Sequence, residues 1–341
     1  MKKLATIHTL FVAVAAALLM ARCGKAPTVT RLQGRALGTI YNITVVGELP
    51  EEFSHRLDSL FGEANRSMSI FDKGSLLSRI NRGEEQVADR HIIRCVEEAL
   101  RVSALSDGAY DITIGPLVEA FGFAGKDPNY TIPVDSLLEF VGYKKIRLEG
   151  DCILKSDPRV RIDLNSIAKG YTVDLAASLI EEYGFKNYLV DIGGEIVCRG
   201  TNPRGEKWGI GVETPFEGNY STTGEHITTI VRISGVGMAT SGNYRNFHTD
   251  PDGNKFTHII DPRTGQNTAS SLLSATVIAP SCMTADAYGT MFIALGLEAS
   301  REVAEREGIA ALFIYDDGGT MRVHKSRAFE FKIQNSKFKP E

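Results

Sequence analysis

At 341 residues, with 43% hydrophobic and 23% charged side chains, the chain has ordinary globular composition and enough apolar material for one large core or two small ones. A net charge of −4 and a pI near 6.0 exclude a global basic field, and with it non-specific nucleic-acid binding. An anionic ligand must therefore be held by a local site.

The N-terminus reads as an export signal over residues 1–22. Met1-Lys2-Lys3 supplies positive charge, and the apolar run from Leu10 to Met20 is too short to span a bilayer comfortably. Ala21-Arg22-Cys23-Gly24 resembles a lipoprotein signal, in which Cys23 is diacylated and becomes the new N-terminus. Arg22 departs from the small residue expected there, and plain secretion or a retained anchor are the alternatives. The lipoprotein reading puts the chain at the inner membrane, lipid-anchored on the periplasmic side. Residues 23–34 then form the anchor and tether, 35–331 one domain and 332–341 a polar tail. The other four cysteines, Cys95, Cys152, Cys198 and Cys282, lack metal-ligand or CxxC spacing and read as buried free thiols, although export permits a disulfide that the sequence cannot pair.

Strands and helices follow in mixed order. Ile40–Val46 alternates as a strand. Glu51–Met68 is a helix with Phe53, Leu57, Leu60 and Phe61 on one face. His91–Ser106 is a helix ended near Gly108, and Tyr143–Leu154 a hairpin. Ile167–Tyr183 is a helix that Gly184 stops. Tyr188–Val197 reads as strand, glycine turn, strand. Thr228–Ile233 and Ser274–Ile278 are strands, and Ala285–Leu295 and Glu298–Glu307 helices. Without strict alternation the pattern favours an α+β fold with antiparallel strands in a single domain.

Six segments carry chemistry. Asp286 and Thr290, four apart on a helix, share a face and suit a hard cation such as magnesium; a capping acid with a back-bonded threonine is the bland alternative. Asp163-Leu164-Asn165-Ser166-Ile167-Ala168-Lys169-Gly170 ends a strand and opens a helix, where free N–H groups and Lys169 favour a phosphate, unless Asn165 or Ser166 merely caps the helix. Asp191-Ile192-Gly193-Gly194-Glu195 is either a hairpin turn or a close approach to a ligand. Thr240 to Arg245 and Thr257 to Gly265 are polar and glycine-bearing. Within them His258 is a candidate general base or a structural histidine, and Arg263 pairs with a ligand or with Asp261. Asp111 to Pro116 is a turn followed by Phe121-Gly122-Phe123, whose rings either stack on a flat ligand or pack in the core.

The order of these segments resembles the ApbE family, the FAD:protein FMN transferases. The series Leu37-Gly38-Thr39, Met68 to Phe71, Asp111 to Pro116, Phe121 to Phe123, Asp163 to Gly170, Asp191 to Glu195, Thr240 to Tyr244, His258 to Gly265 and Thr284-Ala285-Asp286 spans about Arg35 to Leu295. The resemblance implies an α+β fold related to the T-fold, with a cleft for FAD and magnesium. It implies FAD contacts at Leu37, Phe71, Phe121, Gly122, Phe123, Asp163, Lys169 and Ile260. The implied magnesium ligands are Asp286, Thr290 and a backbone carbonyl at Ser166, and the implied base is His258. Leu37 stands where the family usually has Met, Phe71 where it has Tyr, and Phe121 where Trp is common. Gly289 stands where some members carry a second acid, which leaves one carboxylate for the metal.

The implied reaction is attack of a Ser or Thr hydroxyl of an acceptor flavoprotein on the FMN-side phosphorus of FAD, with AMP leaving. Subunits of membrane electron-transport complexes are the implied acceptors. The competing readings are an FAD pyrophosphatase giving FMN and AMP, a non-catalytic flavin-binding lipoprotein, and a redox flavoprotein. Nothing resembles a nicotinamide site, which weakens the last.

Overall fold

The computed structural model of the chain describes residues 27–124, 128–129, 132–215, 227–242, 247–249, 255–257, 259–266 and 270–334. Its strands are β1 (Val29–Ala36), β2 (Thr39–Val46), β3 (Ile146–Glu149), β4 (Cys152–Lys155), β5 (Tyr188–Ile192), β6 (Glu195–Arg199), β7 (Trp208–Glu213), β8 (Ile227–Ile233), β9 (Val236–Gly242), β10 (Phe247–Thr249), β11 (Lys255–Thr257), β12 (Leu272–Ala279), β13 (Ala310–Asp317) and β14 (Thr320–Lys325). The helices are α1 (Glu52–Met68), α2 (Leu76–Arg82), α3 (Arg90–Leu105), α4 (Gly115–Ala120), α5 (Val134–Leu138), α6 (Ala168–Glu182), α7 (Cys282–Leu295), α8 (Leu297–Arg306) and α9 (Arg327–Gln334).

Eight strands form one sheet in the order β1-β2-β5-β6-β9-β12-β13-β14, and every neighbouring pair is antiparallel. Side-chain alternation assigns its two faces. Ala311 and Phe313 of β13 join the large core around α3 and α7, whereas Ala310, Leu312 and Ile314 pack with Trp208, Ile210, Val231 and Phe329 of β7, β8 and α9. Both faces are covered there, so β13 reads as a continuous apolar run. At the other end α1 and α6 cover β2 and β5, burying Phe53, Leu57, Phe61, Val173, Ala176 and Ile180 with Ile43, Tyr188 and Val190.

Helix α7 is buried nearly all round, from Cys282 to Ala294, as its apolar sequence requires. Its first turn is capped from afar. Asp174 of α6 accepts hydrogen bonds from the N–H groups of Cys282 (2.9 Å) and Met283 (2.8 Å), while Ser281 accepts from that of Thr284.

The α+β antiparallel reading of the sequence is what the structure has. Two boundaries move. Residues 29–34, expected in the tether, form most of β1 and pair along β2, from Val29 opposite Val46 to Ala36 opposite Thr39. The expected polar tail begins inside α9, which continues to Gln334. Cys95, Cys198 and Cys282 are buried free thiols, and Cys152 is half-buried and free. Among the described residues no helix is long and apolar enough to cross a membrane.

Candidate active site

Two helices cross at a glycine. Gly170, in the first turn of α6, faces α7 so closely that a Cβ there would stand 2.5 Å from the Cys282 carbonyl oxygen and 2.8 Å from the Asp286 Cβ. The close approach lets the Gly170 N–H donate to Asp286 Oδ2 at 2.9 Å. Asp286 is only 4% exposed. Burial, reinforced by the nearby Glu195 carboxylate, pushes its carboxyl up to about 8.

Lys169, one residue earlier, forms an ion pair with Glu195 at 2.7 Å. Glu195 opens β6 directly after the Gly193–Gly194 turn, whose φ angles of 66° and 101° suit glycine. Its side chain is buried, and Oε2 has no hydrogen-bond partner beyond this ion pair. Burial raises the Glu195 carboxyl, and Lys169 opposes that rise. Burial alone would lower the lysine, but the Glu195 and Asp286 carboxylates outweigh it and hold the ammonium above its ordinary range. The neighbouring β1–β2 turn lies alongside: the Gly193 N–H donates to the Ile40 carbonyl at 3.0 Å, and a Cβ on Gly193 would press on Thr39. Leu37 in that turn has a φ of 51°, a left-handed conformation uncommon for leucine.

The loop entering α6 is fixed from three sides. The Asn81 amide exchanges two hydrogen bonds with the backbone of Ile162, at 2.8 and 2.7 Å. The Asp163 N–H donates to the Ile112 carbonyl at 2.7 Å, and Asp163 Oδ1 accepts from the Asn165 N–H at 2.8 Å. Burial pushes the Asp163 carboxyl up to about 6. Ser166 Oγ donates to the Tyr110 hydroxyl at 2.9 Å, and no side chain caps α6, so neither Asn165 nor Ser166 is its N-cap. Thr290 is half-buried one turn beyond Asp286.

The sequence profile of the ApbE family matches residues 37–313. The chain belongs to the ApbE family. It is 34% identical to the FAD:protein FMN transferase of Vibrio cholerae, over 94% of this chain and 97% of that one. The Haemophilus influenzae protein of the same name is also 34% identical, over 94% and 96%. Among solved structures, the flavin transferase ApbE from Vibrio cholerae superposes with a TM-score of 0.80 at 32% identity, over 90% of this chain and 99% of that one. The ApbE protein from Thermotoga maritima gives 0.76 at 27% identity, over 90% and 99%. The resemblance read from the order of the motifs is therefore borne out.

In this ApbE chain the residues expected at the site fall into groups. Lys169 and Asp286 come together, with Asp163 and Ser166 on the loop that leads to them. Phe121 and Ile260 come together in a small apolar cluster with Leu117 and Val141, against which Phe123 packs half-buried; Gly122 takes a φ of 83° between the two rings. Phe71 stands at the surface, 60% exposed. His258 lies outside the described residues, as do Asn243, Tyr244 and Arg245. Arg263 pairs with Asp261 through both carboxylate oxygens, the alternative the sequence left open.

Glu195 is not among the site residues the sequence suggests, although it closes the Asp191–Glu195 motif. A lysine in the first turn of a helix needs a nearby counter-charge, but nothing in the sequence says that one of the two acids of the Asp191–Glu195 hairpin supplies it. Gly289 is explained by space, because a Cβ there would stand 2.7 Å from Ser241 Oγ of β9. Among the described residues no cluster of three or more His, Cys, Asp or Glu side chains stands at metal-ligating separation. The buried Asp286 and Glu195 against one ammonium, with an oxygen of Glu195 otherwise unpartnered, leave excess negative charge that fits a cation.

Proposed function

We propose that this chain transfers FMN from FAD to a Ser or Thr hydroxyl of an acceptor flavoprotein and releases AMP. Its ApbE relatives carry the name of that transferase, and one observation in this chain carries the reading further. Lys169, Glu195 and Asp286 converge where α6 opens beside the Gly193–Gly194 turn, which gathers charges suited to a pyrophosphate and its counter-ion.

Asp286, Thr290 and the Ser166 carbonyl are the groups that would hold magnesium, in keeping with its preference for oxygen ligands and few carboxylates. Bound there, the ion would neutralise charge developing on the pyrophosphate oxygens. Gly170 fixes the Asp286 carboxylate through its N–H, and Lys169 offers a cation to the same phosphates. Leu37, Phe71, Phe121, Gly122, Phe123, Asp163 and Ile260 are assigned to the FAD. His258 takes the proton of the acceptor hydroxyl as its oxygen bonds to the FMN-side phosphorus, and the bond from that phosphorus to the AMP oxygen breaks.

The test is incubation of the chain with FAD, magnesium and an acceptor protein, read by mass spectrometry. The expected result is one FMN added to the acceptor per AMP released. Free FMN with an unmodified acceptor would make the chain an FAD pyrophosphatase. Intact FAD that stays bound would make it a flavin-binding lipoprotein.

A further inference from the structure

Lys169 sits where electrostatics disfavours it. It is the second residue of α6, and the N-terminal end of a helix carries partial positive charge that repels a cation. No side chain caps this end to soften that repulsion. A lysine stem also has several rotatable bonds, so an unrestrained ammonium would swing into solvent. Its side chain retains 35% exposure, yet the ammonium lies 2.7 Å from Glu195.

Glu195 is placed rigidly. It is the first residue of β6, in register opposite Ile192 across a two-residue turn, and it is 4% exposed. Its Oε2 makes no hydrogen bond except through the ion pair with Lys169. A buried carboxylate of this kind is costly to leave without a partner, so acid and lysine fix one another.

We propose that Glu195 is a positioning residue for the transfer: it anchors the Lys169 ammonium beside Asp286, so that the charge is in place when the pyrophosphate arrives. The inference rests on the FMN-transfer reading of the site. It assigns Glu195 no contact with FAD and no proton transfer.

A double-mutant cycle on the full chain tests this, with Glu195→Gln, Lys169→Met and the two combined. Each is assayed with magnesium for FMN transfer to an acceptor protein at saturating FAD, and for FAD affinity by flavin fluorescence. Acylation of Lys169 by an amine-reactive reagent, located by mass spectrometry, is compared between the unmodified chain and Glu195→Gln. Glutamine matches the size of glutamate, and a thermal melt of each variant checks that the fold is kept before transfer is compared. The expected loss of transfer in Glu195→Gln is at least about tenfold. Its lysine, no longer anchored, is acylated faster. Adding Glu195→Gln to Lys169→Met costs less than about a further twofold, because the acid then has nothing to hold.

Losses that multiply, a Glu195→Gln variant with unaltered transfer, or unchanged acylation of Lys169 would each overturn the proposal. If the unmodified chain transfers no FMN, the functional reading fails instead. Lys169 acylation and the cycle in FAD affinity then still decide the role of Glu195.

Discussion

Asp286 and Glu195 share one lysine, so the fully ionised cluster carries an excess negative charge in a buried setting. Burial, helped by Glu195, lifts the Asp286 carboxyl to about 8, from about 3.8 in an unfolded chain. A carboxyl raised on folding favours the native state at low pH, and that contribution fades as pH rises through the folded value. The contribution of Asp286 to the metal-free protein should therefore fade between about pH 4 and pH 8, so Asp286→Asn should differ from the unmodified chain in the pH dependence of its melting while abolishing magnesium-dependent turnover. Melting curves across pH with chelator present, alongside activity with magnesium, check both parts. Parallel melting profiles, or turnover like the unmodified chain, would refute the assignment. His258→Ala should lower transfer by about 10²–10⁴-fold while FAD still binds, since a serine or threonine hydroxyl needs a base near neutral pH. Weak FAD binding with normal single-turnover transfer would instead give His258 a holding role. At this scale the sequence made Lys169 and Asp286 visible through motif and helical spacing. It could not reveal Glu195, because the Lys169–Glu195 pair is made by sheet register. Nor could it explain Gly289, whose reason is the nearby Ser241 of β9.

Helix α7 crosses α6 with no room for a side chain at Gly170. Gly170→Ala would drive a methyl group into the Cys282 carbonyl, and backbone atoms there cannot rotate away. The expected cost is about 1–3 kcal/mol of stability, typical of forced overpacking. It should be accompanied by a loss of turnover larger than the loss of FAD affinity, because the Gly170 N–H to Asp286 bond opens first. Denaturant unfolding and FAD titration of the variant measure the two, and an unaltered stability would mean that the helices slide apart freely. The elements themselves were mostly legible. The apolar face of α1 and the hairpin β3–β4 follow from periodicity and turn residues alone. Two features were hidden because their causes are long-range. The first turn of α7 is held by Asp174, which is 108 residues away in the chain. Strand β1 is an edge strand with exposed Arg31, Gln33 and Arg35, and it imitates a polar tether until β2 pairs with it.

The whole molecule sets its N-terminal segment apart from the site. β1 has eight residues, about 26 Å at a strand's rise, and runs from Val29 toward the Leu37–Gly38 turn beside the Gly193–Gly194 hairpin. The chain before Val29 thus joins the sheet at the end away from Lys169 and Asp286. The lipid anchor expected at Cys23 lies outside the described residues, and it makes a prediction that combines with this geometry. A single acyl chain holds a protein to a bilayer only marginally, whereas two or three hold firmly at about 0.8 kcal/mol per buried CH₂. The native protein should fractionate with membranes and carry acyl mass on Cys23, and Cys23→Ala should release it. Because the tether joins far from the site, the released variant should flavinylate a soluble acceptor at the rate of the native chain. Transfer to an acceptor embedded in membranes should fall, since anchoring confines both partners to one surface. Fractionation, mass spectrometry of the N-terminal peptide and the two transfer assays read these outcomes. Native protein in the soluble fraction with an unmodified Cys23 would mean that Arg22 defeats the signal. A slower rate on the soluble acceptor would mean that the segment before Val29 contributes to the site itself.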